Sequence, residues 1–280
     1  MYCTNTNRRV FASSAISKLD KVYIMNETGE YPAVEVKELY SAADAPDGSF
    51  GFKKIRIELK PEEDGTYNLR ELFSGCYFGG MSEMTILPNP SGKKYVVSDL
   101  YEAFYCGANT SNTVTNHEIK GLNNLDTSRI TKTNGFYRCF MTLVNFVEEI
   151  DISGWELNSS AAQMFRGSST SGALTKVCLG RHNYTFNPFY GWGGITDITV
   201  ESISADFNMG NYLLTKESVV NIVNALNEKG SGTISVSDVS KGYFTDTEWQ
   251  DLENRVPSGW NIRVNNTSVA QANLMMDSGD

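Results

Sequence analysis

The sequence predicts an α/β repeat fold: a solenoid contributing one parallel strand per unit, a small β-rich module before it and an α/β cap after it. Two series of residues predict it. Apolar triplets with L-x-x-L-x-L spacing recur at Phe52/Ile55/Ile57, Met81/Met84/Ile86, Val114/His117/Ile119, Val147/Ile150/Ile152, Leu174/Val177/Leu179 and Ile195/Ile198/Val200. Their middle members stand 29, 33, 33, 27 and 21 residues apart. Phe73, Phe104, Phe136, Phe165 and Phe189 march in step, 31, 32, 29 and 24 residues apart. A unit of this size cannot bury its own apolar edge, so units of this kind stack on one another.

In order along the chain, residues 1–50 break the pattern and read as an N-terminal attachment module. A polar arm or short helix around Phe11 to Leu19 leads to strands at Val22 to Met25 and Ala33 to Val36, separated by the turn Asn26-Glu27-Thr28-Gly29. Residues 51–212 hold the repeats. Strand alternation sends the second and third members of each triplet inward and the residues between and around them outward. Residues 213–265 read as the cap. In it, Val219, Ile222, Val223 and Leu226 define a helix with Thr215 as N-cap. Thr233 to Val236 is a strand, Thr245 to Glu248 a capping box, and Trp260 to Val264 a closing strand. Residues 266–280 form a disordered or externally bound tail.

The central units carry a nameable likeness. Leu125-Asp126-Thr127-Ser128-Arg129-Ile130-Thr131 followed by Gly135-Phe136-Tyr137-Arg138-Cys139, then Ile150-Asp151-Ile152-Ser153-Gly154-Trp155 and Met164-Phe165-Arg166-Gly167, resemble the BspA-like leucine-rich repeat. Leu72-Phe73-Ser74-Gly75-Cys76 is similar to an earlier unit. The resemblance spans about residues 51–265 and implies a leucine-rich-repeat-like solenoid, with Trp155 as a structural residue of its unit. Asp47-Gly48 and the strand to Leu59 resemble a small module that precedes such repeats in bacteriophage structural and tail proteins. The helix–strand–helix–strand ending resembles the terminal unit of BspA-like arrays.

Composition narrows the function. The formal net charge is −9 and only 20% of residues are charged, with no basic cluster of the kind nucleic acid requires. No apolar run reaches the length of a membrane span. The N-terminal stretch has no apolar core of a secretory leader, which favours a virion over an exported surface protein. Five cysteines, odd in number and widely spaced, make no disulfide framework. Cys76, Cys106 and Cys139 follow the phenylalanines and read as small buried apolar residues. His117 and His182 lie on different units with no partner at metal-ligand spacing, and no G-x-S-x-G occurs. Gly191-Trp192-Gly193-Gly194 lacks the lysine of a phosphate loop, and Glu62-Glu63-Asp64-Gly65 lacks EF-hand spacing.

No cofactor, metal or catalytic residue is therefore expected. The candidate binding face is the outward one, with Arg56, Glu83, Glu118, Glu149, Asp151, Lys176 and Asp197, joined by Tyr190 and Trp192. Tyr77, Phe78, Tyr105, Tyr137 and Phe140 either line an edge for glycan or protein recognition or fill space between units. The reading is a non-enzymatic, multi-copy bacteriophage virion protein. Its N-terminal module would attach to capsid or tail, and its repeats would meet a host glycan or surface protein. A bacterial BspA-like surface adhesin is the alternative, and a scaffold carrying an enzymatic site comes third.

Overall fold

The computed structural model describes residues 2–3, 8–9, 17–25, 28–34, 54–74, 83–105, 117–141, 143–145, 147–166, 173–185, 188–189 and 194–266. The first elements are β1 (Tyr2–Cys3) and β2 (Arg8–Arg9), an antiparallel pair. They are followed by β3 (Leu19–Ile24), β4 (Ala33–Val34), β5 (Lys54–Leu59), β6 (Tyr67–Asn68), β7 (Glu83–Ile86) and β8 (Tyr95–Asp99). Then come β9 (Glu118–Lys120), β10 (Leu125–Asp126), β11 (Glu149–Leu157), β12 (Lys176–His182) and β13 (Asp197–Ile203). The C-terminal elements are β14 (Phe207–Met209), α1 (Lys216–Asn224), β15 (Gly232–Ser237), α2 (Asp238–Lys241), α3 (Asp246–Asn254) and β16 (Trp260–Asn265).

These strands fall into separate sheets, with orders β1-β2, β4-β3-β5-β7-β9, β10-β8-β6, β11-β12-β13 and β14-β15-β16. The solenoid expected from the triplets, a leucine-rich-repeat-like array with one parallel strand per unit, is thus not the architecture. The molecule is built of small, mostly parallel sheets with few helices among the described residues. The main break lies between β9 and β11: β9 pairs with β7 over all three of its residues, but toward β11 pairing shrinks to one parallel bridge, His117↔Val147. That bridge sits where the imidazole of His117 replaces an aliphatic side chain. A further departure lies at the start, where β3 and β4 add antiparallel strands to β5. Leu19, the end of the expected helix, opens β3, and its neighbours 11–16 lie outside the described residues.

Period-2 alternation is clearest in β8 and in the first half of β11, and it lapses in β5 and β7, where Glu58 and Glu83, expected to face outward, are buried. Parallel registers align Lys54↔Glu83↔Glu118 and, across the second large group, Glu149↔Lys176↔Asp197. Ile55, Ile57, Met84, Ile86, Ile150, Ile152, Val177, Leu179 and Ile198 are all buried, each removal from water contributing roughly 1.5–3 kcal/mol. Leu19 and Val22 of β3 are buried with them, so part of residues 1–50 shares the core of β5.

The phenylalanines pack ring on ring, but not in the series the spacing suggested. Phe73–Phe104, Phe104–Phe140, Phe140–Phe165 and Phe165–Phe189 are stacked at 5.9, 5.3, 5.2 and 5.1 Å. Phe140, not Phe136, takes the central place, while Phe136 tilts against Trp155. Backbone geometry selects it. Glu71, Glu102, Arg138 and Gln163 all have positive φ, each two residues before a ring of the series. The amides that follow donate across: Phe73 to Ala103 O, Phe104 to Cys139 O, Phe140 to Met164 O and Phe165 to Pro188 O, at 2.8–2.9 Å.

At the C-terminal end, the Thr215 hydroxyl accepts from the Ser218 amide and opens α1. Thr245 and Glu248 form a reciprocal capping box at α3. Residue 266 is the last described position, so all of the expected tail, 266–280, apart from its first residue lies outside the described residues. No helix among the described residues is long and apolar enough to cross a membrane.

Candidate functional site

Where the β9–β11 pairing lapses, the strand face opens into a cleft of about 570 Å³. Its walls come from both sides of the break: His117, Glu118 and Lys120 on one, Glu148, Glu149, Asp151, Thr175, Lys176 and Asp197 on the other. Parallel pairing sets the second wall, because Glu149, Lys176 and Asp197 are register partners on β11, β12 and β13. Five carboxylates face two lysines, so the cleft is net acidic.

Some of these charges are fixed and others are free to exchange partners. Asp197 accepts from Thr196 Oγ1 at 2.9 Å and Thr215 Oγ1 at 3.0 Å, which ties it to the start of α1. Burial pushes the Asp151 carboxyl up, but hydrogen bonds from Ser153 and Asn123 outweigh it and hold the group below its usual range. Lys176 pairs with Glu149 at 3.0 Å with both side chains 48% exposed, a contact worth about 0–1 kcal/mol. Its hydrogen bond to Glu149 raises the Lys176 pKa. A ligand group therefore has little to overcome in drawing either side chain away. Lys120 bridges Glu118 at 2.6 Å and Glu83 at 2.8 Å, bonds that raise its pKa.

The remaining expected face residues lie off this cleft. Glu83 is 8% exposed. Burial raises its pKa, the Lys120 and Lys54 ammonium groups lower it by more, and the net shift is downward. It acts as a counter-ion beneath the lysines. Arg56 lies over the ring of Tyr31 at 3.7 Å, on the sheet of β3 and β5. Tyr190 and Trp192 fall outside the described residues, as do Tyr77, Phe78, Cys76 and Cys106. Phe140 belongs to the ring series, while Tyr105 and Tyr137 are half-buried.

Lys120, Glu148, Thr175 and His117 were absent from the expected site. Lys120 is legible as an outward position of its strand. Glu148 and Thr175 precede β11 and β12, and only the missing strand pair turns them into walls. Among the described residues no group of three or more His, Cys, Asp or Glu is arranged to hold a metal ion. Cys139 is fully buried, which pushes its thiol pKa well up, whereas Cys178 is half-buried beside Glu149. No family model matches the chain, and neither a curated protein nor a solved structure matches it.

Proposed function

We propose that the chain is a non-enzymatic bacteriophage virion protein of BspA-like type, with its N-terminal module attached to the particle and its strand face meeting the host surface. The observation that carries the reading is the cleft between β9 and β11–β13. It is open and net acidic, its walls come from two sheets, and its Glu149–Lys176 pair is exposed enough to exchange partners. Such a face suits weak recognition of hydroxyl-rich or cationic surface groups, with affinity raised by many copies on one particle. The resemblance of residues 125–167 to units found in surface-acting proteins supports the same reading.

Mass spectrometry of purified particles tests the location, and adsorption of those particles to host cells tests the face. The chain is expected in multiple copies per particle. The double exchange Glu149→Lys with Lys176→Glu keeps the ion pair and the net charge of the cleft but reverses the local dipole across β11 and β12. It is expected to leave the melting temperature unchanged and to lower adsorption about tenfold, or roughly 1.4 kcal/mol. Recovery of the chain in the cell envelope, free of particles, would replace this reading with that of a bacterial surface adhesin.

A further inference from the structure

We propose that a second cleft, at the carboxyl ends of β10, β11 and β12, is a binding subsite for neutral saccharides. The proposal rests on the surface-recognition reading above and names the ligand class for a site away from the acidic cleft. This cleft has a volume of about 430 Å³, within the roughly 300–1,000 Å³ range of small-molecule sites. Three features point to sugar.

The first is the lining. Ile130 and Leu157 are buried and form an apolar base, while Ser128, Thr131, Thr133 and Ser159 expose hydroxyls around it. Hydroxyls donate and accept with freely turning protons, which matches the mixed donor–acceptor rim of a pyranose. The second is Tyr184, 50% exposed, one of two large hydrophobic side chains so exposed among the described residues. It stands in the cleft beside Asn183. An aromatic face packs against the C–H face of a sugar ring while its hydroxyl stays wet, and Asn supplies paired donor and acceptor.

The third is the charge state. Lys132 is held by the buried Asp99 at 3.0 Å, and Glu156 is held by Arg181 at 3.4 Å. One positive and one negative lining group balance each other, so the cleft carries no net charge that would select a phosphate, a sulfate or a sialic acid. The walls are also preformed. The Thr127 hydroxyl donates to Glu156 O and accepts from the Glu156 amide at 2.8 Å, and the Asn158 side-chain amide donates to Ile130 O. These bonds fasten residues 127–130 to the end of β11, so little order has to be created in that wall on binding.

The test is titration of full-length protein by calorimetry and saturation-transfer NMR. The probes are maltotriose, lactose, cellotriose and chitotriose, with 3′-sialyllactose and a heparin tetrasaccharide as charged comparators. At least one neutral saccharide is expected to bind, with its ring C–H protons receiving saturation. Tyr184→Ala is expected to weaken it about tenfold or more, and Tyr184→Phe to hold it within about threefold, since stacking survives. Tyr184 is exposed, so neither variant should alter the melting temperature. Binding of the charged probes alone, binding indifferent to Tyr184→Ala, or no binding of any neutral probe overturns the proposal. If particle adsorption still responds to the Glu149/Lys176 exchange while no saccharide binds, this site falls and the recognition reading stands. If neither responds, both fall.

Discussion

Gly180 lies so close against Trp155 that a β-carbon built on it would stand 2.8 Å from both the amide nitrogen and the carbonyl carbon of that residue. The approach occurs where the β11–β12 register shifts between Ile152 and Glu156. The bulged backbone of β11 is accommodated because β12 has no side chain at that point. The bulge turns the Trp155 ring inward, where its Nε1–H donates to Leu122 O at 2.9 Å.

Gly180→Ala is therefore expected to cost about 1–3 kcal/mol or more, since backbone on one side and a paired strand on the other leave nowhere to move. Gly92 provides the contrast. It has φ +74° with nothing near its missing β-carbon, so Gly92→Ala carries only the left-handed penalty, about 1–2 kcal/mol. Urea denaturation of both variants checks this. A Gly180→Ala curve superimposing on wild type would show that the β11–β12 contact is looser than described.

Most inward positions were legible in the sequence because strands alternate with period 2, though Glu58 and Glu83, read as outward, are buried and Ile119, read as inward, is half-buried. The caps Thr215 and Thr245 were legible because their side-chain chemistry is specific. The choice between Phe136 and Phe140 was not. Both are aromatic, four residues apart, and the deciding quantity is the positive φ at Arg138, which no side-chain pattern announces. The triplets also pass over Tyr95–Asp99, a strand that pairs with β6 and β10 in a sheet of its own. Division into sheets depends on which neighbouring strands pair along their length, and a triplet does not encode that. The charged face was readable at Glu149, Lys176 and Asp197. The cleft was not, because it arises from the strand pair that fails to form beyond His117.

The ring series predicts coupled energetics. Phe140 and Phe165 are fully buried and stacked at 5.2 Å. Each change to Ala is expected to cost about 3–5 kcal/mol. A double-mutant cycle should return a coupling of about 0.5–1.5 kcal/mol. Using the milder Phe→Leu pair keeps the protein folded for the measurement. Additive losses would show that the rings fill space without interacting.

Asp99 predicts a graded pair of variants. Its carboxylate is 1% exposed, accepts from the Tyr101 amide at 2.9 Å, and faces Lys132 at 3.0 Å and Arg70 at 3.7 Å. Asp99→Ala strips a buried amide and two cations of their partner, for an expected loss of about 2–4 kcal/mol. Asp99→Asn retains the acceptor for Tyr101 and should lose less. Thermal melts of the two variants check the order, and equal losses would assign the whole effect to charge.

Acid should weaken the fold in two separable windows. Burial lowers the His182 pKa from 6.5 to about 4, only partly offset by the hydrogen bond of Nε2 with Asp206 O at 3.1 Å. The ring also packs edge-on against Phe207. Between these two values the unfolded chain binds a proton that the folded chain does not, so stability rises with pH across the interval. Conversely, lowering the pH from about 6.5 to 4 should cost roughly 3 kcal/mol at this residue. Glu248 acts lower. Its hydrogen bond from Lys216, with further bonds from Thr245, lowers its pKa from 4.5 to about 2. Its contribution is therefore present above pH 4.5 and is lost as pH falls toward 2. Urea midpoints from pH 7 to 3 separate the two groups. His182→Gln should flatten the upper window whatever it costs at pH 7, and Glu248→Gln should flatten only the lower one. An upper window unchanged in His182→Gln would place the acid sensitivity on other groups.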